Sequence, residues 1–363
     1  MKKLILNQIQ KNMAFLAKKM IDKHKPEIFA ITGSIAKTST KELIYAVLEK
    51  KYGSKINKSS GNLNTEIGLP LTIFGFKEAP SLWKWPLIIF NCWVKLHTAK
   101  TYPSFLILEM AADKPGDINY LCSIARPKYG LVTAVGPAHL INFKNVEAIA
   151  KEKSQLVANL PENGVAFLNQ SIELVKDMSD NAKCRIEFFK SSVSKIAEEA
   201  ARTVGKYFNI EENKIEQAII EASKNNSRFE EHLLKDSVLL IDDAYNANPL
   251  SMQGAFENFA EVVSDRPKGR KIAILGDMLE LGDNSDKYHK EIGQLARKQF
   301  DLIIGVGIKS KLYEPNNWFA NVDSANQSIL QYIESEDTIL VKGSHGIRLQ
   351  KMVANILAQK KLS

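Results

Sequence analysis

The residues best suited to chemistry are a lysine and three hydroxyls, Lys37-Thr38-Ser39-Thr40, directly after Thr32-Gly33-Ser34-Ile35-Ala36. Upstream, Ile28-Phe29-Ala30-Ile31 reads as a buried strand, and Thr38 to Tyr52 reads as a helix. A strand, a glycine turn and a helix present backbone N–H groups to an anion. The Lys37 ammonium adds a full positive charge, and the Thr38 hydroxyl can reach a divalent cation carried by phosphates. The run is shorter than G-x-x-x-x-G-K-[ST], and Ala36 stands where that form has glycine. Alone, it reads equally well as a chance glycine turn before a helix. Ala36 is tolerable there only at negative φ, since glycine is required chiefly where φ is positive.

Three further constellations carry candidate chemistry. Glu109 closes the apolar run Phe105 to Leu108. A carboxylate at the end of a buried strand points to the crevice outside the sheet, where a nucleotide's metal would lie; otherwise Glu109 is a plain strand-terminal acid. His139, in Gly136-Pro137-Ala138-His139-Leu140 at another strand end, is a metal ligand, a phosphate-positioning group or, as a lone histidine most often is, structural. Lys153, on the helical segment Val146 to Leu160, is one more surface lysine or a specialised group turned inward.

These residues need a scaffold, and the pattern supplies an α/β one. Strands are expected at Phe105 to Leu108, Tyr129 to Val135 and Val165 to Leu168, in a mostly parallel sheet. A charged helical region from Ser194 to Lys224 leads to the polar break Asn225-Asn226-Ser227. Beyond it, Val238 to Ile241, Lys271 to Leu275, Leu302 to Val306 and Thr338 to Val341 alternate with helices in a second, smaller doubly wound unit. The expected organisation is an N-terminal amphipathic helix in 1–26, with Ile5, Ile9, Met13, Leu16 and Met20 on one face, then domains at 27–226 and 227–363.

The chain of 363 residues is 45% hydrophobic and 25% charged, enough for sizeable cores. Its formal net charge of +8 admits a nucleic-acid partner, a membrane surface or an anionic substrate, but no block of like charge stands out, and a solvated surface is the plainer reading. Three widely spaced cysteines without a CxxC pair argue against a disulfide framework or zinc site and fit a reducing, cytoplasmic compartment. The N-terminus lacks a signal-peptide core. The segment Trp85 to Val94 is far short of the roughly 20 apolar residues of a spanning helix. It reads as a packing helix or, less favoured, as an interfacial one flanked by Lys84, Lys95 and Lys100.

Taken jointly the motifs are far more specific. Gly33 to Lys41, Gly61 to Pro70, Glu109 to Asp117, Ser123 to Pro127, Gly136 to Leu140, Asp242 to Pro249, Gly276 to Gly282 and Lys342 to Gly346 follow the order seen in Mur ligases. The chain resembles that family, most of all the branch that adds D-alanyl-D-alanine to UDP-N-acetylmuramoyl-tripeptide. The resemblance implies a P-loop-like central ATPase domain with a parallel sheet plus a smaller Rossmann-like C-terminal domain. It also implies an ATP- and Mg²⁺-dependent amide-bond ligase working through an acyl phosphate.

By the same resemblance, Gly33, Ser34, Ala36, Lys37, Thr38 and Ser39 hold phosphates, and Thr38, Glu109, His139 and a carbamylated Lys153 serve Mg²⁺. Arg228, Asp243 and Asn248 contact the nucleotide. Asn62, Asn64 and Thr65 line the substrate cleft, while His289, Lys342 and Ser344 face the incoming amine. The implied partners are an anionic cell-wall precursor and an amino acid or dipeptide; apart from the resemblance, no nucleic acid is expected, the Trp83 to Trp93 segment suggests a peripheral membrane contact, and the state is left as monomer or small oligomer.

Departures from the family pattern are expected as well. About one helix precedes the phosphate loop where relatives carry a UDP-binding domain. Val193, Ser194 and Ala197 stand where relatives read adenine, and His345 where they often have arginine. These departures keep two alternatives in view, a catalytically weak binding or scaffold subunit and a ligase with a lipid-linked acceptor.

Overall fold

The computed structural model describes residues 2–61, 63–224, 229–266 and 268–360. Asn62, Arg228 and the polar break 225–227 lie outside the described residues. The chain divides into two compact units, residues 1–135, 142–191 and 195–225 in one, residues 136–141, 192–194 and 226–363 in the other.

The first unit contains α1 (Lys2–His24), β1 (Glu27–Thr32), α2 (Lys37–Tyr52), β2 (Ile56–Lys58), α3 (Gly68–Ile73), α4 (Trp85–Thr98), β3 (Phe105–Glu109) and α5 (Asp117–Ile124). It continues with β4 (Tyr129–Val132), α6 (Val146–Ala158), β5 (Val165–Asn169), α7 (Glu173–Lys176), β6 (Arg185–Phe189), α8 (Ile196–Tyr207) and α9 (Glu212–Ser223). Its sheet has the order β2-β3-β1-β4-β5-β6, parallel throughout. β3, β4 and β5 are wholly buried, as strands covered by helices on both faces must be. The chain winds to one side of β1 as far as β3 and to the other side from β4, so β1 stands at a switch point of the sheet. Crevices for ligands open at the carboxyl ends of strands there.

Two elements differ in shape from the sequence reading. The charged stretch 194–224 is two helices, because Asn209 takes a left-handed φ of 55° and turns the chain between them. The N-terminal helix is no separate segment: α1 buries Ile9, Met13, Leu16, Ala17 and Met20 within the first unit.

The second unit contains β7 (Glu230–Leu233), β8 (Leu239–Asp243), α10 (Pro249–Ser264), β9 (Lys271–Gly276), α11 (Ser285–Ala296), β10 (Leu302–Val306), β11 (Asn317–Phe319), α12 (Val322–Asn326), β12 (Thr338–Lys342) and α13 (Gln350–Lys360). The sheet order is β11-β10-β9-β12-β8-β7, parallel except for β7 against β8. Period-two alternation sends Ile272 and Ile274 of β9 into one core and Ala273 and Leu275 into the other, so helices are required on both faces.

His289 of α11 belongs to this packing. It is fully buried, stacks on Tyr313, donates from Nδ1 to the Ser285 carbonyl at 2.7 Å and accepts the Met278 N–H at Nε2 at 3.0 Å. Both ring nitrogens are committed, which corrects the expectation that it meets an incoming amine. Burial pushes its pKa below the ordinary 6.5. Below pH 6.5 the unfolded chain therefore binds a proton that the native ring resists, and stability falls as the pH drops through this window. In urea titrations, His289→Gln is expected to cost about 1–2 kcal/mol at pH 7 for the lost hydrogen-bond geometry. It is also expected to flatten the acid-side loss; an unchanged pH slope would show that the proton is taken up elsewhere.

Candidate active site

The carboxyl ends of β1, β3 and β4 lie side by side, with Ile31 opposite Glu109 and Thr32 opposite Val132. Where the chain leaves β1 it passes close to Thr133: a Cβ on Gly33 would fall 1.8 Å from Thr133 Oγ1, so only glycine fits. The Thr133 hydroxyl donates to the Ile35 carbonyl at 2.7 Å, and the Ser34 N–H donates to the Ala134 carbonyl at 2.8 Å. Two bonds thus fasten the loop to the segment after β4.

The next turn corrects one expectation. Ala36 has φ 60° and ψ 0°, in the left-handed region, instead of negative φ. The chain must reverse between the fastened loop and the first turn of α2, and that demand overrides alanine's preference at a cost of about 1–2 kcal/mol. Ala36 stands at the N-cap and has no side-chain oxygen with which to cap the helix. Lys37 opens α2 and its ammonium donates to the Gly33 carbonyl at 2.8 Å, which keeps the positive charge over the loop. Helix start and ammonium together make an anion-binding corner.

Glu109, only 2% exposed, is the acid of this corner. Its carboxylate accepts the Thr38 hydroxyl at 3.0 Å and the Asn64 side-chain amide at 2.8 Å, while its own N–H donates to Ser59 Oγ at 3.1 Å. Asn64 is itself held, its carbonyl accepting the Ala111 N–H at 2.9 Å. Thr65 turns the chain toward α3, its hydroxyl 3.5 Å from the Gly68 N–H. Beneath Glu109, the fully buried Lys41 ammonium lies 3.8 Å from that carboxylate and 3.3 Å from Glu42, which also pairs with Lys58. A buried carboxylate persists as an anion only with such donors and a cation around it.

Lys153 lies on α6, 4% exposed, and its pKa is pushed down to about 7. Burial is the main cause, the Lys37 charge adds to it, and Glu152 and Asp113 oppose it. Glu152 is fixed by accepting the Gly116 and Ile118 N–H groups at 2.7 and 2.8 Å, at the start of α5. Near neutral pH a substantial fraction of the amine is therefore uncharged and nucleophilic.

In the second unit the remaining residues have other partners. His139 belongs to the segment 136–141 of that unit, its Nδ1 2.7 Å from a Glu280 carboxylate oxygen. Lys342, on β12, is 2% exposed; it pairs with Asp243 of the neighbouring β8 at 2.6 Å and donates to the Asn246 carbonyl at 3.0 Å. Asn248 caps α10, accepting the Ser251 N–H at 2.9 Å, and the buried Ser344 hydroxyl links the Leu279 N–H to the Ala247 carbonyl. Lys37, Thr38, Asn64, Glu109 and Lys153 thus gather in the first unit, and His139, Asp243, Asn248, Lys342 and Ser344 in the second.

Among the described residues no three histidine, cysteine, aspartate or glutamate side chains converge on a metal position. One carboxylate and a threonine hydroxyl nevertheless fit Mg²⁺, which keeps waters and completes its shell with substrate phosphates; they do not fit a structural zinc site. The sequence reading gives no role to Lys41, Ser59, Thr133 or Glu152. Lys41 had a signal, since it lies four residues after Lys37 on one helix face.

Known proteins match this architecture. Residues 31–85 and 94–230 match the Mur ligase middle domain, and residues 227–345 match the Mur ligase, glutamate ligase domain. The chain belongs to the Mur ligase family. Within it, a relative from Buchnera aphidicola, a UDP-N-acetylmuramoyl-tripeptide--D-alanyl-D-alanine ligase, is 28% identical over 93% of this chain and 78% of its own length. The fold is that of MurF from Acinetobacter baumannii, with a TM-score of 0.79 at 21% identity over 95% of this chain and 80% of that one. MurF from Thermotoga maritima, solved in complex with ADP, gives 0.76 at 23% identity, covering 96% and 84%.

Two loop substitutions should act in opposite senses. Gly33→Ala forces a methyl into Thr133 and is expected to cost about 1–3 kcal/mol and to weaken nucleotide binding. Ala36→Gly relieves a left-handed alanine and is expected to stabilise by up to about 1 kcal/mol, after the entropy gained by the unfolded chain. Thermal melts and calorimetric titration of nucleotide read both; a destabilised Ala36→Gly would contradict the strained turn.

Proposed function

We propose that the chain is an ATP- and Mg²⁺-dependent ligase that joins an amino acid or D-alanyl-D-alanine to the carboxylate of a muramyl-peptide-type acceptor in cytoplasmic cell-wall synthesis. The observation that carries this reading is the corner formed by Lys37, Thr38 and buried Glu109 at the switch point of the first sheet. The acceptor and donor classes are taken from the relatives' activity.

In the proposed reaction an acceptor carboxylate oxygen bonds to the γ-phosphorus of ATP, and the bond to the ADP oxygen breaks. The amine then attacks the acyl phosphate carbon, phosphate departs with the C–O electron pair, and the amine gives up a proton. Gly33, Ser34, Ala36 and Ser39 line the phosphate loop, and Lys37 offsets charge growing on the transferred phosphoryl group. Thr38 and Glu109 would hold Mg²⁺, and the ion would supply additional neutralisation of phosphate charge. Asn62, Asn64 and Thr65 orient the acceptor. Arg228, Asp243 and Asn248 serve the nucleotide, and Lys342 and Ser344 shape the amine side.

Lys153 is assigned carbamylation. Its uncharged Nζ attacks the carbon of CO₂, an N–C bond forms as one C=O π pair moves onto oxygen, one proton leaves the nitrogen, and the neutral amine becomes a carbamate anion. Burial and the lowered pKa of about 7 support the step, because only the free amine reacts.

A screen of phosphate release against UDP-linked and lipid-linked muramyl peptides, with amino acids and dipeptides as donors, tests the reading. Acceptor-dependent release is expected, and Lys37→Met should lower it about 10²-fold or more with the circular dichroism unchanged. Release that ignores every acceptor would sink the ligase reading in favour of a binding subunit. Lys153→Ala should be inactive yet recover with short carboxylic acids, and wild-type activity at limiting CO₂ should rise as the pH passes upward through about 7. Full activity of Lys153→Ala, or inactivity without rescue, would remove the carbamate.

A further inference from the structure

In the first unit α1 and α4 pack side by side and present an apolar face that the proposed reaction does not use. Along α4, Trp85, Ile88 and Cys92 face inward, while Leu87, Phe90 and Trp93, with Trp83 just before the helix, are exposed, Trp83 to 78%. Phe15 of α1 is 61% exposed and lines a groove with Leu16, Pro86, Ile89, Phe90 and Trp93. Further along α1, Leu4 and Ile5 are exposed as well. The exposed Phe15, Phe90 and Trp93 gathered at this groove form an apolar patch that calls for a partner.

Charge identifies the partner. Residues 2–24 hold six lysines and one aspartate, and residues 79–104 hold three lysines and no acid. With 49 basic and 41 acidic residues in all, the rest of the chain has 40 of each, so these two segments carry the whole net charge of +8. Lys23 is spent on the Leu96 and Ala99 carbonyls at the end of α4, and Lys95 on the Phe74 carbonyl. Lys11, Lys18, Lys19, Lys84 and Lys100 are exposed. Lys84 lies 5.2 Å over the Trp83 ring and Lys19 lies 5.8 Å over the Phe15 ring, so cations and aromatics share the face.

This face also lies largely outside the family match: α1 precedes residue 31, and the middle-domain match is interrupted between residues 85 and 94, within α4. No helix among the described residues is long and apolar enough to cross a membrane, and α4 has 14 residues. A helix of this kind lies on a bilayer, its tryptophans at the headgroup boundary and its lysines on anionic lipid phosphates. Two copies pressed face to face would instead bring like charges together.

We propose that the α1 and α4 face is a docking surface for an anionic lipid bilayer, a property of the first unit independent of the proposed ligase chemistry. The test is co-sedimentation of the full chain with phosphatidylcholine vesicles, with and without phosphatidylglycerol, at low and high salt. Binding is expected only with the anionic lipid, weakened by salt, and at least about tenfold weaker in the triple variant Trp83→Ser, Phe90→Ser, Trp93→Ser. These side chains are exposed, so the variant should keep its thermal melt and its nucleotide binding. Lys84→Glu with Lys100→Glu should lower binding without touching the apolar residues.

Absence of binding to anionic vesicles would overturn the proposal, as would equal binding by wild type and a folded triple variant. So would a dimer, seen by analytical ultracentrifugation, that the triple variant dissolves while vesicle binding persists. Because nucleotide is not needed for vesicle binding, a failure here leaves the ligase reading standing, and the reverse holds.

Discussion

The active corner of the first unit depends on one close approach. Gly33 passes Thr133 with no room for a side chain, and the same threonine fastens the loop through the Ile35 carbonyl. That contact fixes where the chain leaves β1, and the reversal that follows drives Ala36 into a left-handed turn. The start of α2, the Lys37 ammonium and the Thr38 hydroxyl are positioned in consequence. Glycine at 33 is a steric requirement, whereas alanine at 36 is a tolerated strain of the kind that persists where the surroundings over-determine the backbone.

Around this corner the structure sorts charge by environment. Glu109 is buried among a hydroxyl, an amide and the Lys41 ammonium below it. Lys153, equally buried, lacks an anion strong enough to outweigh desolvation and the Lys37 charge, and it loses its proton near neutrality. Burial thus acts on two groups of opposite type, one held among donors and a cation, the other left without a sufficient counter-charge.

Much of the fold was legible because its central strands are long, apolar and separated by helices, so β1, β3, β5, β9 and β10 stood out. The short or exposed edge strands did not. β2 and β11 have three residues each, β6 is mostly exposed or half-buried, and β7 reads Glu230-Glu231-His232-Leu233; none carries a buried pattern. At the site, the joint order of the motifs and the family resemblance it carries singled out Lys37, Thr38, Glu109 and Lys153, but not the residues acting through three-dimensional contact. Ser59 and Thr133 are 50 and 98 positions from the groups they hold, separations that no local pattern encodes. His289 was misread for the same reason, since only the packing against Tyr313 and Met278 shows that both its nitrogens are used.

The most direct test of the central claim follows oxygen. The acceptor carboxylate, labelled with heavy oxygen, is incubated with the enzyme, ATP, Mg²⁺ and the amine, and the released phosphate is weighed by mass spectrometry. Passage through an acyl phosphate transfers one labelled oxygen to each phosphate released, and Lys37→Met should suppress labelled phosphate together with total product. Phosphate that appears at the same rate without label would contradict the account, because ATP would then be consumed by water and not by the acceptor.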